Sequence, residues 1–247
     1  MSASVPSFEK SFKGKKYIVT GANAGIGECI TNRLLDLGAH VFAVGRDDSK
    51  LPPAGPNLTP IVADVGDWDS YDKIKALGPV DGLVNNAGVA FIEPFFETKK
   101  DSWDSTLNVN SRGIVRFSQA VAKNMIDAGI KGSIVNVSST IAERAIPEHV
   151  AYCASKGAVN QVTRTMAIEL GPYGIRTNNV NPTVVMTKMG AKAWSDPAKS
   201  GPILARIPLG KFAEPQDVAN VTLFLLSDFS SYVNGVSIPV DGGFLTG

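Results

Sequence analysis

Cysteine is scarce: Cys29 and Cys153 are the only two in 247 residues. That excludes a disulfide-stapled scaffold, and the pair forms no metal-ligand spacing. Both fall in segments expected to be helical, so they read as buried free thiols of a reducing compartment. An excess of charge is missing as well. Twenty-four Lys and Arg meet twenty-three Asp and Glu, a formal charge of +1, and no basic run stands out. This balance argues against nucleic acid as a main partner. No apolar run is long enough to span a bilayer, and Met1 to Lys16 lacks the apolar core of a signal peptide. The expectation is a cytoplasmic protein with no transmembrane segment. Repeats, low-complexity tails and dividing linkers are absent too, leaving one domain over 1–247. What remains is 44% hydrophobic, enough for a sizeable core.

Short apolar runs suited to buried parallel strands recur along the chain. They cover Lys16–Thr20, His40–Val44, Thr59–Ala63, Leu83–Val84, Ile134–Val137, Arg176–Val180 and Val236–Val240. Helical periodicity lies between them at 26–37, 103–110, 112–128, 150–170 and 214–226. Three prolines and a glycine in Ser49–Asn57 argue against a full helix there. The pattern is α/β, a Rossmann-type doubly wound sheet of about seven parallel strands with helices on both faces.

One stretch organises the rest. After the strand ending at Val137 come Ser138 and Ser139, where ligands bind in an open α/β sheet. Tyr152 follows Ser139 by thirteen positions, and Lys156 lies four further on, on the same helix face. A phenol has a pKa of about 10, and a nearby cation favours its ionised form. The pair is therefore expected to make a proton donor that works near neutrality.

A second stretch points to a nucleotide. Gly21-Ala-Asn23-Ala-Gly25-Ile26-Gly27 joins the first strand to a helix. Glycines admit a pyrophosphate, and the helix start supplies free N–H groups and a positive dipole end. At the end of the second strand an acid would take the ribose 2′-hydroxyl of NAD, and an arginine the 2′-phosphate of NADP. Gly45 stands where the acid is expected, and Arg46 follows. The cofactor is expected to be NADPH/NADP+ rather than NADH, although Asp47 and Asp48 weaken the local field.

T-G-x-x-x-G-I-G, N-N-A-G at Asn85–Gly88, and Ser139/Tyr152/Lys156 together resemble the short-chain dehydrogenase/reductase family over nearly the whole chain. The resemblance implies catalytic roles for Asn110, Ser139, Tyr152 and Lys156. It implies that Asp64 and Val65 meet the adenine, and that Asn86, Ala87 and Gly88 line the cleft. A cap for the helix after Gly66 is the competing reading of Asp64. Pro182, Val185 and Thr187 would hold the nicotinamide end, with Tyr152 and Lys156 on its ribose. Two departures are visible: Asn23-Ala24 lacks the basic residue many NADP-preferring relatives carry, and Pro182-Thr183 replaces Pro-Gly.

Within the family, V-N-P-T-V-V-M-T (180–187), W-S-D-P (194–197) and R-I-P-L-G-K-F-A-E (206–214) resemble reductases of small sugars and α-dicarbonyls. That narrower likeness implies NADPH-linked reduction of L-xylulose to xylitol and of diacetyl, by a homotetramer. It places Ser139, Thr140, His149, Tyr152 and Trp194 against the substrate, under a flap at about 187–212. The alternatives are another carbonyl or hydroxysteroid reductase of this fold, or an NADPH-binding scaffold without turnover.

Overall fold

Ile18, Leu83 and Ile134 sit at matched positions of three neighbouring strands, and each is followed by a valine that points the other way. Such runs, apolar on both sides, require cover on both faces. The structure is a computed structural model that describes residues 7–247; the first six residues of the expected 1–247 domain lie outside the described residues. Seven parallel strands form one sheet, in the order β3-β2-β1-β4-β5-β6-β7. They are β1 (Lys16–Thr20), β2 (His40–Gly45), β3 (Leu58–Val62), β4 (Gly82–Asn85), β5 (Ser133–Val137), β6 (Arg176–Pro182) and β7 (Ser237–Val240).

On one face α1 (Gly25–Asp36) and α8 (Pro215–Leu226) bury Ile30, Leu34, Val218 and Leu223 against Val19, Val84 and Val135. On the other, α2 (Ser70–Lys75), α4 (Gly113–Asp127) and α5 (Val150–Leu170) pack on Ile18, Leu83 and Ile134. A three-residue 3-10 turn, Asp48–Lys50, stands in for a crossover helix between β2 and β3, as the prolines require. The two helical segments expected around residue 110 are continuous. α3 (Lys100–Leu107) passes into α4 through a π-helical turn at Asn108–Arg112. The flap contains α6 (Lys188–Ala193) and α7 (Pro197–Leu204).

Two expectations need correction. Cys29 and Cys153 are free but half-buried, not buried; Cys29 Sγ lies 3.5 Å from Gln216 Oε1 on α8. The sheet interior is also less apolar than the strand runs suggest. Asn85, Asn136, Asn179 and Ser237 stand side by side on β4, β5, β6 and β7. Asn85 Nδ2 donates to Asn136 Oδ1 at 2.8 Å, and Asn136 Nδ2 donates to Thr163 Oγ1 on α5 at 2.8 Å. Thr163 in turn donates to Asn179 Oδ1 at 2.5 Å, and Asn179 Nδ2 donates to Asn160 and Ser237. Buried amides are tolerable only when paired in this way.

Candidate active site

Ser139 opens a 3-10 turn just past β5, accepting from Ile141 N at 3.2 Å and donating to Pro182 O at 3.3 Å. The end of β6 thus grips the serine loop. Thr140 is buried with its hydroxyl also directed at Pro182 O, so it buttresses that loop from behind. Tyr152 and Lys156 project from the first turns of α5. Lys156 is 3% exposed and donates from Nζ to Val137 O at 2.8 Å. Its ammonium lies 5.5 Å from the centre of the Tyr152 ring.

Burial governs both groups. It pushes the Tyr152 phenol up to about 12, a rise that a hydrogen bond with Ser139 partly opposes. It pulls Lys156 down to about 8. The phenol is therefore held protonated rather than eased toward phenolate, contrary to the expectation from helix spacing. Spacing fixes the shared face but says nothing of desolvation, which here outweighs the hydrogen bond with Ser139.

Asn110 is fully buried in the π-helical turn. Its Oδ1 accepts from Val89 N at 2.8 Å, while Nδ2 donates to Val89 O at 2.8 Å and to Ser155 Oγ at 3.0 Å. The amide clamps the segment following Gly88 onto α5. A Cβ on Gly88 would lie 3.3 Å from Asn110 Oδ1 and 3.8 Å from Lys156 Nζ, so the three converge. The same turn reaches a second loop. Arg112 donates to Gly66 O at 3.1 Å, and Gly113 runs so close to Val65 O that a Cβ would come within 2.4 Å.

A cleft of about 340 Å³ opens over the ends of β1, β2 and β4. Of the expected cofactor residues, Gly21, Asn23, Arg46, Asp64, Val65, Asn86, Ala87 and Gly88 line it. Gly25, Ile26 and Gly27 stand behind them at the start of α1, whose first turn receives no side-chain cap. Gly27 admits nothing larger, since a Cβ would lie 2.2 Å from Gly21 O. Thr20 Oγ1 accepts from both Asn86 N and Ala87 N, tying β4 to β1 beneath the cleft. Asp64 Oδ1 accepts from Gly66 N at 2.8 Å; it closes its own turn and does not cap α2, which starts at Ser70.

Tyr152, Lys156, Pro182, Val185 and Thr187 fall outside that lining. Thr187 bridges the two ends, with its Cγ2 2.8 Å from where a Cβ on Gly25 would sit. Its Oγ1 accepts from Gly190 N, so the hydroxyl proton stays free to donate. His149 lies edge-on to Tyr152, ring centres 6.4 Å apart, with Nδ1 2.7 Å from Pro147 O. Trp194 leans on Phe212 of the flap at 6.2 Å. Lys50, Val89 and Val109 also line the cleft, and nothing in the sequence singles them out. A larger cleft, about 520 Å³, lies at the opposite, N-terminal ends of the central strands. Most of its charges are spent on partners: Lys15 on Asp228, Asp81 on Lys16 N, Arg176 on Leu225 O, Ser227 O and Ser230.

A model of the short-chain dehydrogenases, described as enoyl-(acyl carrier protein) reductase, matches residues 21–245. L-xylulose reductase of Homo sapiens is 48% identical over 235 residues, 94% of this chain and 96% of that protein. The chain belongs to the short-chain dehydrogenase/reductase family. Members of this family are oxidoreductases, and this chain is one. This short-chain reductase is also similar to carbonyl reductase [NADPH] 2 of Sus scrofa, 45% identical over 96% of this chain and 99% of the relative. Among solved structures it resembles one from Beutenbergia cavernae, provisionally named an NAD(P)-dependent gluconate 5-dehydrogenase, with NADP bound at low occupancy. That match has a TM-score of 0.89 and 34% identity, covering 96% of this chain and 99% of the other.

Proposed function

We propose that this short-chain reductase transfers hydride from NADPH to small carbonyl compounds, with L-xylulose and α-dicarbonyls such as diacetyl as substrates. The observation that carries it is the meeting of Ser139, Tyr152 and Lys156 beside Gly88, at the end of a nucleotide-sized cleft. The substrate class follows the names of the L-xylulose and carbonyl reductases it resembles.

The cleft fits a dinucleotide. Gly27 lets α1 begin directly against the glycine turn, where a Cβ would lie 2.2 Å from Gly21 O, and the uncapped start of α1 offers N–H groups to a pyrophosphate. Arg46 stands in the lining for a 2′-phosphate, Asp64 and Val65 for the adenine, and Asn86, Ala87 and Gly88 for the centre. Pro182, Val185 and Thr187 take the nicotinamide end. When bound, the reduced nicotinamide supplies the hydride.

The chain supplies the proton and the geometry. Tyr152, protonated throughout the neutral range, donates to the carbonyl oxygen. Ser139 donates a hydrogen bond to the same oxygen, worth roughly 3 kcal/mol if it acts like an oxyanion-hole donor. Lys156 holds ribose hydroxyls and places positive charge beside the phenol as it gives up its proton. Asn110, through Val89 and Ser155, fixes the wall on which these groups meet. His149 and Trp194 frame the substrate beneath the flap at 187–212.

A cytoplasmic homotetramer accompanies this reading. Two free cysteines suit a reducing compartment, and no helix among the described residues is long and apolar enough to cross a membrane. Exposed Ile168 on α5 and Phe224 on α8 offer apolar contact to other subunits.

Initial rates with L-xylulose, diacetyl and a steroid ketone, each with NADPH and with NADH, test the proposal. Turnover of the first two with NADPH is expected. A preference for the steroid, or for NADH, overturns it.

A further inference from the structure

Arg46 shares the mouth of the cleft with an acid, Asp47, which by itself would repel a phosphate. The structure shows what is done with that charge. Asp47 Oδ1 accepts from Ser49 N at 3.2 Å and from Ser49 Oγ at 2.7 Å. Its other oxygen, Oδ2, lies 2.6 Å from Lys50 Nζ. Both carboxylate oxygens are thus turned onto the 3-10 turn that follows. Leu51 anchors this turn, its Cδ2 lying 3.0 Å from where a Cβ on Gly45 would sit. Lys50 belongs to the lining of the cleft, as Arg46 and Asp47 do.

We propose that Lys50 is a cofactor-selectivity residue: by pairing with Asp47 it keeps that carboxylate from opposing the ribose 2′-phosphate at the mouth of the cleft. The inference rests on the NADPH reading. Arg46 and Lys50 offset Asp47 and Asp64 in the lining of the cleft, and without Lys50 that lining is one charge negative. The phosphate would then meet an arginine and an unpaired carboxylate at once. An exposed pair of this kind contributes little to folding, and its side chains are 67% and 40% exposed. Its effect belongs to the ligand instead. The Lys50 contact, and then Ser49, hold the Asp47 carboxyl below the usual range, so the acid is charged whenever the cleft is in use.

Equilibrium titration of NADPH and NADH, read by nucleotide fluorescence, tests this in the unaltered protein and in Lys50→Gln, Asp47→Asn and the double variant. Melting temperatures confirm that each variant folds. Lys50→Gln should weaken NADPH about 5- to 10-fold and NADH less than about 2-fold, with the loss shrinking as salt is raised. Asp47→Asn should restore the double variant to within about 2-fold of the unaltered protein, because there is no acid left to neutralise. An unchanged NADPH/NADH ratio in Lys50→Gln overturns the proposal. So does a double variant as weak as Lys50→Gln, which would make Lys50 a direct phosphate ligand. If the unaltered protein binds NADH as tightly as NADPH, the cofactor reading itself fails, and the inference with it.

Discussion

Lys156 and Val137 are joined by a 2.8 Å hydrogen bond from ammonium to carbonyl, fastening α5 to the end of β5. The bond gives a buried charge one partner without freeing it from the cost of desolvation. The lysine accordingly releases its proton near pH 8, while the tyrosine beside it holds its own to about 12. Both groups stand in their acid forms below pH 8, as a carbonyl reductase requires.

The rate should follow the lysine. For carbonyl reduction, kcat/KM is expected to be level below pH 8 and to fall about tenfold per unit above it, as Lys156 is neutralised. Tyr152 should add no second limb before pH 10. Initial rates from pH 6 to 10 check this, and a level profile across that range would contradict it.

Tyr152→Phe removes the proton donor and little else. Turnover should drop by about 10²- to 10⁴-fold, the range for a general acid. NADPH affinity should stay within about twofold by fluorescence titration. A variant that keeps near-native turnover would displace Tyr152 from the chemistry.

Lys156→Met should abolish turnover and stabilise the fold. The folded pKa lies below the unfolded 10.5, so the burial cost is fully present below pH 8 and vanishes as pH rises to 10.5. The gain is at most about 3 kcal/mol at neutral pH and should disappear by pH 10.5. Urea unfolding at both pH values reads the difference. A gain that does not change with pH would refute the linkage.

Thr163→Val strands two buried amides, Asn136 Nδ2 and Asn179 Oδ1, in the sheet interior. Unpaired groups of this kind cost about 1–3 kcal/mol each. A loss of about 3 kcal/mol should lower the melting temperature by roughly 6–12 °C in a chain of this size. Thr163→Ser, which keeps the hydroxyl, should recover most of it in the same thermal scan.

The frame of the molecule was legible because its signals are local. Apolar runs mark strands, glycines at fixed offsets mark the turn after β1, and the prolines of 52–56 announce a missing helix. The site was legible only where residue type and spacing suffice, as for Ser139, Tyr152 and Arg46. What stayed hidden depends on three-dimensional surroundings. Asn136 and Asn179 look like interruptions of apolar strands, and only strand pairing shows them meeting. Lys50 sits in an unpromising proline-rich crossover, and only the Asp48–Lys50 turn brings it back to Arg46. The helical wheel puts Tyr152 and Lys156 on one face, but the direction of their titration follows from how deeply that face is covered. No periodicity marks the π-helical turn, since N-V-N-S-R carries too few apolar residues to show a change of pitch.

That wide turn is where the two halves of the cleft share one piece of backbone. Through Asn110 it clamps Val89 and Ser155; through Arg112 and Gly113 it lies against Gly66 and Val65. Removing one residue to restore ordinary pitch would displace the side chains of this turn from their partners. Both attachments would slip together, making the smoother rod the poorer enzyme. Irregularity at this point therefore seats both ends of the nucleotide's berth on a single turn.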